Sequence, residues 1–205
     1  LDKSQIGRLP CNPAVGGIAK SHLVSEIDAL GGEIGRNADF TGIQYRMLNT
    51  RKGPAVQSNR IQCDKDIYPI RIQAVLNAQK NLQIIDDMVL SIETNKGKIK
   101  SIVTRSYGTI CTNSLIICTG TFLRGRVLIG QESIHQGRIG EESSEDLSSS
   151  FQKFGFELAR LKTGTPPRVH KDTIDYRVME EQPGECPPPL FSRDAKEYRK
   201  NYLEK

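Results

Sequence analysis

Leu115-Ile116-Ile117-Cys118 is continuously apolar and runs straight into Thr119-Gly120-Thr121. A short run of this kind reads as a strand buried on both faces, as in a parallel sheet covered by helices. It predicts an α/β core. In open α/β sheets ligands bind beyond the carboxyl ends of the strands. A small Thr-Gly-Thr turn at that place lets backbone approach a cofactor, and it could equally be a plain strand-to-loop turn.

The N-terminal part reads as a helix. Asn12 is a good N-cap and Pro13 suits the first helical position, where its missing N–H costs nothing. Ile18, Leu23, Val24, Ile27 and Leu30 recur at helical spacing, and Gly31-Gly32 end the run. Cys11 is then expected just before a helix N-terminus, where unpaired N–H groups and the helix dipole favour a thiolate. Gly16 and Gly17 weaken a first turn, and close approach of a ligand would explain them. The competing reading is a capped helix behind a small buried cysteine, since free Cys is among the most buried residue types.

Further along, Gly42 to Val56 reads as an irregular basic loop, and Asn59 to Gln79 as a second helix kinked at Pro69. Leu82 to Ile85 reads as a short strand. Residues 88–93 and 98–103 alternate around Asn95-Lys96-Gly97, a hairpin signal. Thr109 to Cys111 is a third short strand. Ser143-Ser144 caps a short helix carrying Leu147, Phe151 and Phe154, with Gly155 at its end. Phe156 to Leu161 reads as one more strand, entering a loop stiffened by Pro166-Pro167. The segment with Pro183-Gly184 and Pro187-Pro188-Pro189 is extended, and the charged tail from Arg193 is a candidate short exposed helix.

A chain of 205 residues can hold one or two domains with a real core. No apolar run approaches the length of a membrane span, and the first residues carry no signal-peptide pattern. Five cysteines without a CxxC pair, and three scattered histidines, read as reduced thiols in the cytoplasm and no structural metal. Net charge is +5, and the basic residues cluster. Arg46, Arg51, Lys52 and Arg60 form one group. Arg124, Arg126 and Arg138 form a second, and Arg160, Lys162, Arg168 and Lys171 a third. Three basic loops could converge on a polyanion; charge alone favours ordinary solvated surface.

Four segments taken together resemble the MnmG/GidA family of FAD-dependent tRNA-modifying proteins. They are Cys11 to Gly17 with Glu26 to Gly32, Lys52-Gly53-Pro54-Ala55-Val56, Gly120-Thr121-Phe122-Leu123, and Arg160 to Arg168. Each is weak alone; their order and spacing are specific. The likeness runs from Cys11 to about Phe191. It implies an α/β fold, a partial Rossmann-type FAD-binding domain interrupted by a small antiparallel β block. Residues 1–192 would be the central part of that domain, with the insertion at about 82–111, leaving 193–205 as an unassigned charged tail. The family's glycine-rich GxGxxG turn, its second cysteine in an Arg-Tyr-Cys-Pro motif and its C-terminal helical domain have no counterpart in these residues. The resemblance therefore implies the middle of a larger protein, which alone would bind FAD poorly.

By the same resemblance Cys11 corresponds to the family's active-site thiol. Val89 and Ser144 correspond to FAD contacts, and Asn12, Gly16, Gly17, Thr119, Gly120 and Thr121 would line the flavin cleft. Arg51, Lys52, Arg160, Lys162 and Arg168 are candidates for tRNA phosphate contact, from charge and loop placement. His135 near Arg138 is either a general acid or a surface histidine. The implied reaction adds a carboxymethylaminomethyl group at C5 of uridine 34, with NADH reducing the flavin. The implied partners are tRNA, the GTPase MnmE and a second copy of the protein. Two rival readings remain. A small-molecule flavin oxidoreductase leaves the basic loops unexplained, and a non-catalytic RNA-binding module leaves Cys11 beside Gly16-Gly17 unexplained.

Overall fold

The computed structural model describes residues 2–193. They fold as two compact units, one made of Ser4–Gln83 with the segment from Gly164 on, the other of Ile84–Thr163 with the first residues of the chain. The charged tail expected after Arg193 lies outside the described residues.

The first unit is a three-stranded antiparallel sheet under three helices. Its elements are β1 (Ala14–Gly16), α1 (Lys20–Ala29), α2 (Glu33–Thr41), β2 (Gly42–Leu48), β3 (Ser58–Cys63) and α3 (Ile67–Ala78), and the strand order is β1-β3-β2. Val15 and Tyr45 both lie opposite Ile61. That row, with Cys63 on the same face, packs against Val24, Ala38, Tyr68 and Phe191 to form the core.

Several expectations fail here, each for a local reason. No helix starts at Pro13, because Gly16 (φ +104°) and Gly17 (φ +94°) hold left-handed conformations that a right-handed helix excludes. The Pro13 carbonyl instead accepts from Cys63 N at 2.6 Å, and the chain enters the sheet. Of the expected apolar spine only Val24 is buried; Leu30 is 90% exposed. Gly31-Gly32 do end the helix, with their N–H groups bonded to the Asp28 and Ile27 carbonyls. The basic loop from Gly42 contains β2, whose outer edge is covered by Glu185 N donating to Tyr45 O at 2.9 Å. The expected helix from Asn59 begins only at Ile67. Asp64 accepts from Asp66 N and Ile67 N there, and these bonds hold its carboxyl below the usual range. Pro69 falls in the first turn, where no N–H is needed, so it breaks nothing.

Helix α2 escaped the sequence reading because its inward face is polar. Asn37, Asp39 and Thr41 are buried, and all three are bonded. Asn37 donates to Tyr68 O at 3.1 Å and accepts from Arg71 at 3.0 Å; the Thr41 hydroxyl donates to Asn37 O at 2.7 Å.

The second unit opens with the meander β4 (Val89–Asn95), β5 (Lys98–Thr104) and β6 (Gly108–Cys111), as the alternation predicts. Two small two-stranded sheets follow: β7 (Val127–Ile129) with β8 (Glu132–Ile134), and β9 (Gln136–Arg138) with β10 (Glu141–Glu142). Helix α4 (Leu147–Lys153) has Asp146 rather than Ser143 or Ser144 at its N-cap, and Gly155 (φ +85°) follows its end. It packs on β4, with Ile92 N donating to the Ser150 hydroxyl at 3.1 Å. Leu82–Ile85, Leu115–Cys118 and Phe156–Leu161 form no strands, and Ile116 is 89% exposed. A buried parallel strand needs neighbours on both sides, and no described strand pairs with these runs. The chain there is irregular and unpaired.

Candidate functional site

Cys11 is exposed, in the irregular chain that leads into β1. Helix α1 begins only at Lys20, so the helix-dipole argument for its thiolate does not hold; that effect fades within the first turn. What positions Cys11 is hydrogen bonding. Ala14 N donates to Asn12 O at 2.7 Å, Pro13 is tied to β3, and Arg168 Nη2 donates to Pro10 O at 2.7 Å. The last bond joins two of the segments singled out in the sequence. The arginine of the Pro-Pro-Arg loop clamps the peptide just before the cysteine.

Gly16 and Gly17 differ in why they are glycine. A Cβ on Gly16 would run into the Asn59 carbonyl and the Phe191 ring, so packing demands its glycine. Gly17 donates to Asn59 O at 2.8 Å and has open space where a Cβ would stand. Gly17 thus leaves bare backbone for a ligand to approach. Arg51 and Lys52 are exposed on a turn after β2. Asn49 Nδ2 donating to Val56 O, and Gln57 Nε2 to Lys52 O, shape that turn. It is tied to α1 by His22 Nε2 at 3.1 Å from Ala55 O.

In the other unit, the Thr119-Gly120-Thr121 turn and Ser144 come together. Ser144 N donates to Phe122 O at 2.8 Å and Arg124 N to Ser144 O at 2.9 Å, making a parallel bridge between Leu123 and Ser144. The Thr121 hydroxyl donates to Gly137 O at 2.8 Å. Gly120 (φ +53°) faces open space. Ser144 is 6% exposed, and its hydroxyl is buried without a partner. A buried hydroxyl in that state stands ready to bond a ligand. Val89 begins β4. Its neighbour Met88 accepts from Arg105 N at 3.0 Å, and Arg105 makes a two-pronged pair with Glu142 at 2.7 and 2.8 Å. That pair holds the Glu142 carboxyl below its usual range and links β5 to the strand just before Ser144.

The remaining basic candidates are unequal. Arg160 Nη1 donates to Arg124 O at 3.0 Å and Arg168 is engaged with Pro10, whereas Lys162 is exposed in irregular chain. His135 is an exposed side chain 3.8 Å from the Glu145 carboxylate, which is the surface reading. Among the described residues no group of three or more His, Cys, Asp or Glu is arranged to hold a metal ion, and no helix is long and apolar enough to cross a membrane.

Sequence reasoning missed Asp39. It is buried, and it accepts from Phe191 N at 2.9 Å and Ser192 N at 2.8 Å, latching the C-terminal segment to α2. Burial pushes its carboxyl up to about 6 against the lowering effect of those two bonds. A lone aspartate within a helix gives no sequence signal of such a role.

The fold is α/β, with a small antiparallel block where the sequence placed one, and it is a fold already seen. GidA of Aquifex aeolicus, solved in two crystal forms, superposes with a TM-score of 0.86 at 47% identity, over 94% of this chain and 32% of that one. The chain belongs to the GidA family: the family model described as "Glucose inhibited division protein A" matches residues 1–205. Curated relatives include proteins of Sulfurihydrogenibium (46% identical over 194 residues) and Aquifex aeolicus (47% over 192), each named "tRNA uridine 5-carboxymethylaminomethyl modification enzyme MnmG". Both matches cover 94% of this chain, which spans about a third (31%) of the length of those relatives.

Proposed function

We propose that this chain is the Cys11-bearing part of an FAD-dependent enzyme that adds a carboxymethylaminomethyl group to C5 of the tRNA wobble uridine. The observation that carries the proposal is the Arg168–Pro10 bond, which holds an exposed cysteine at the meeting of two family segments. Residues 1–192 serve as the central part of the FAD-binding domain, with 82–111 as its insertion. The residues present fit the cofactor. Gly17 and Gly120 offer open backbone, and Ser144 offers a buried hydroxyl without a partner. Asn12, Gly16 and Gly17 are cofactor residues of one unit; Val89, Thr119, Gly120, Thr121 and Ser144 are those of the other. Bound FAD would supply the redox chemistry of the alkylation, with NADH as reductant.

The chain's own groups bind and orient. Arg168 fixes the carbonyl before Cys11. The Cys11 thiol then serves as nucleophile towards the uracil ring or as proton donor. Arg51, Lys52, Arg160, Lys162 and Arg168 contact tRNA phosphates, with Arg51, Lys52 and Lys162 the least engaged elsewhere. The same reading makes the working protein a cytoplasmic homodimer that meets the GTPase MnmE.

The test is nucleoside analysis of tRNA from cells whose copy of this protein carries Cys11→Ser. Modification is expected to be lost while flavin content and melting temperature stay unchanged. Normal modification would return Cys11 to a passive role. Charge reversal of Lys52 and Lys162 should lower the salt slope of tRNA binding by about one unit per lost phosphate contact.

A further inference from the structure

The sheet of the first unit has a second face, and it is not apolar. Opposite the Val15–Ile61–Tyr45 row, the antiparallel register sets Arg46 directly across from Arg60, with Gly16 as the third member of the row. Ser58 stands two residues from Arg60 on the same face, beside Leu48. Like charges placed directly opposite each other destabilise a strand pair. Sheets normally relieve such a pair with a carboxylate. Among the described residues neither guanidinium has an ion pair or a hydrogen-bonded partner. The ion pairs seen among the described residues of the first unit go to Arg36, Arg71, Arg177 or His170.

One further donor on this face is in the same state. The Ser58 hydroxyl is buried without a hydrogen-bond partner, as is the Nε of the Arg46 guanidinium itself, and Ser58 is only 2% exposed. Buried donors without acceptors are rare in folded proteins and costly to leave so. Two arginines in register and a hydroxyl present an excess of donors, and the only charge among them is positive. Gly16 puts no side chain beside Arg60. The missing component is an oxyanion with several acceptor oxygens. Planar guanidinium groups match phosphate oxygens two at a time.

We propose that this face is a phosphate-binding site formed by Arg46, Arg60 and Ser58. It is distinct from the Arg51–Lys52 turn and from the Lys162–Arg168 loop, and it does not depend on the reading of Cys11. The phosphate belongs either to a free nucleotide or to an RNA backbone, which share the chemistry and differ in size.

The experiment is calorimetric titration of the purified protein with pyrophosphate at constant ionic strength in chloride. Saturable binding is expected. Arg46→Gln and Arg60→Gln should each weaken it roughly tenfold to a hundredfold, the loss typical of a charged hydrogen-bond partner. Arg46→Lys, which keeps the charge without the fork, should weaken it less. Lys100→Gln, on an exposed position of β5, should leave it unchanged. In chloride alone the double Gln variant should melt no lower than the parent, because a like-charge row has been relieved. Parallel titrations separate the sources. A loss of ADP affinity in the double variant assigns a nucleotide. A loss of affinity and salt slope for a short single-stranded RNA assigns backbone phosphate. Absence of saturable pyrophosphate binding, or equal binding by parent and double variant, overturns the proposal. A lower melting temperature of the double variant with binding unchanged makes the pair structural and overturns it equally.

Discussion

The β4–β5–β6 meander and the β1–β3–β2 sheet are both three-stranded and antiparallel, yet they are held in register by different means. In the meander each strand meets its partner through a tight turn. Asn95 faces Lys98 across Lys96 and Gly97, both with positive φ, and Thr104 faces Gly108. That is the backbone a two-residue hairpin requires, so sequence neighbours fix the register. In the other sheet the central strand β3 pairs with β1 across two helices and a strand. Nothing local sets that register. It rests on the buried Val15–Ile61–Tyr45 row and on the helices that close over it. Local turns thus stabilise one sheet, and a shared core the other.

If so, the two sheets should respond very differently to loss of a side chain. Ile61→Ala, at a fully buried site, should cost about 2–5 kcal/mol. Ile110→Ala, at the half-buried edge of the meander, should cost roughly 1 kcal/mol or less. Urea unfolding of the whole chain followed by circular dichroism measures both; equal losses would break the contrast.

Backbone substitutions sharpen it. Gly16→Ala combines a positive φ with a collision against β3 and should cost about 2–3 kcal/mol. Gly97→Ala meets only the φ penalty, since its surroundings are open, and should cost about 1 kcal/mol. The same melts decide whether packing or turn geometry dominates at each.

The latch on Asp39 adds a pH dependence to the first unit. Its carboxyl is raised from 3.8 to about 6 in the folded chain. A raised carboxyl binds its proton more tightly when folded. Its contribution is therefore fully present below the unfolded value and is lost as pH rises through about 6. The loss amounts to roughly 2–3 kcal/mol. The stability difference between the parent and Asp39→Asn should shift by that amount between pH 4 and pH 7. A difference independent of pH would show that Asp39 titrates normally.

The smallest effects concern thiols. Burial pushes the Cys63 thiol up to about 11, whereas the other four cysteines are exposed. Titration of the native protein with an aromatic disulfide should label those four quickly, and Cys63 only on unfolding. Cys63→Ser should cost about 1 kcal/mol and Cys111→Ser nothing measurable. Fast labelling of Cys63 in the native chain would show that the β3 core opens readily.

The candidate site was legible where chemistry is carried by short segments. Cys11, the Thr-Gly-Thr turn and the Pro-Pro-Arg loop could be singled out from residue type and spacing. The reason given for Cys11 was not right, because two left-handed glycines turn the chain into a strand rather than a helix. Gly16 has a packing reason for being glycine that no local pattern shows: its missing Cβ makes room for the Asn59 carbonyl and Phe191. The apolar run Leu115–Cys118 has the composition of a buried strand, and composition alone supplies no partner strands.

The amino-acid sequence by itself determined the meander, the stop at Gly31-Gly32, the place of α4 and the segments that mark the family, because each depends on residues a few positions apart. Only the tertiary structure decided that β1, β2 and β3 form one sheet, that Asp39 holds Phe191 and Ser192, that Arg168 reaches the carbonyl before Cys11, and that Arg46 meets Arg60. Those contacts join residues far apart in the chain. Their partners are chosen by burial and hydrogen-bond satisfaction over the whole unit, and no local pattern of residues encodes them.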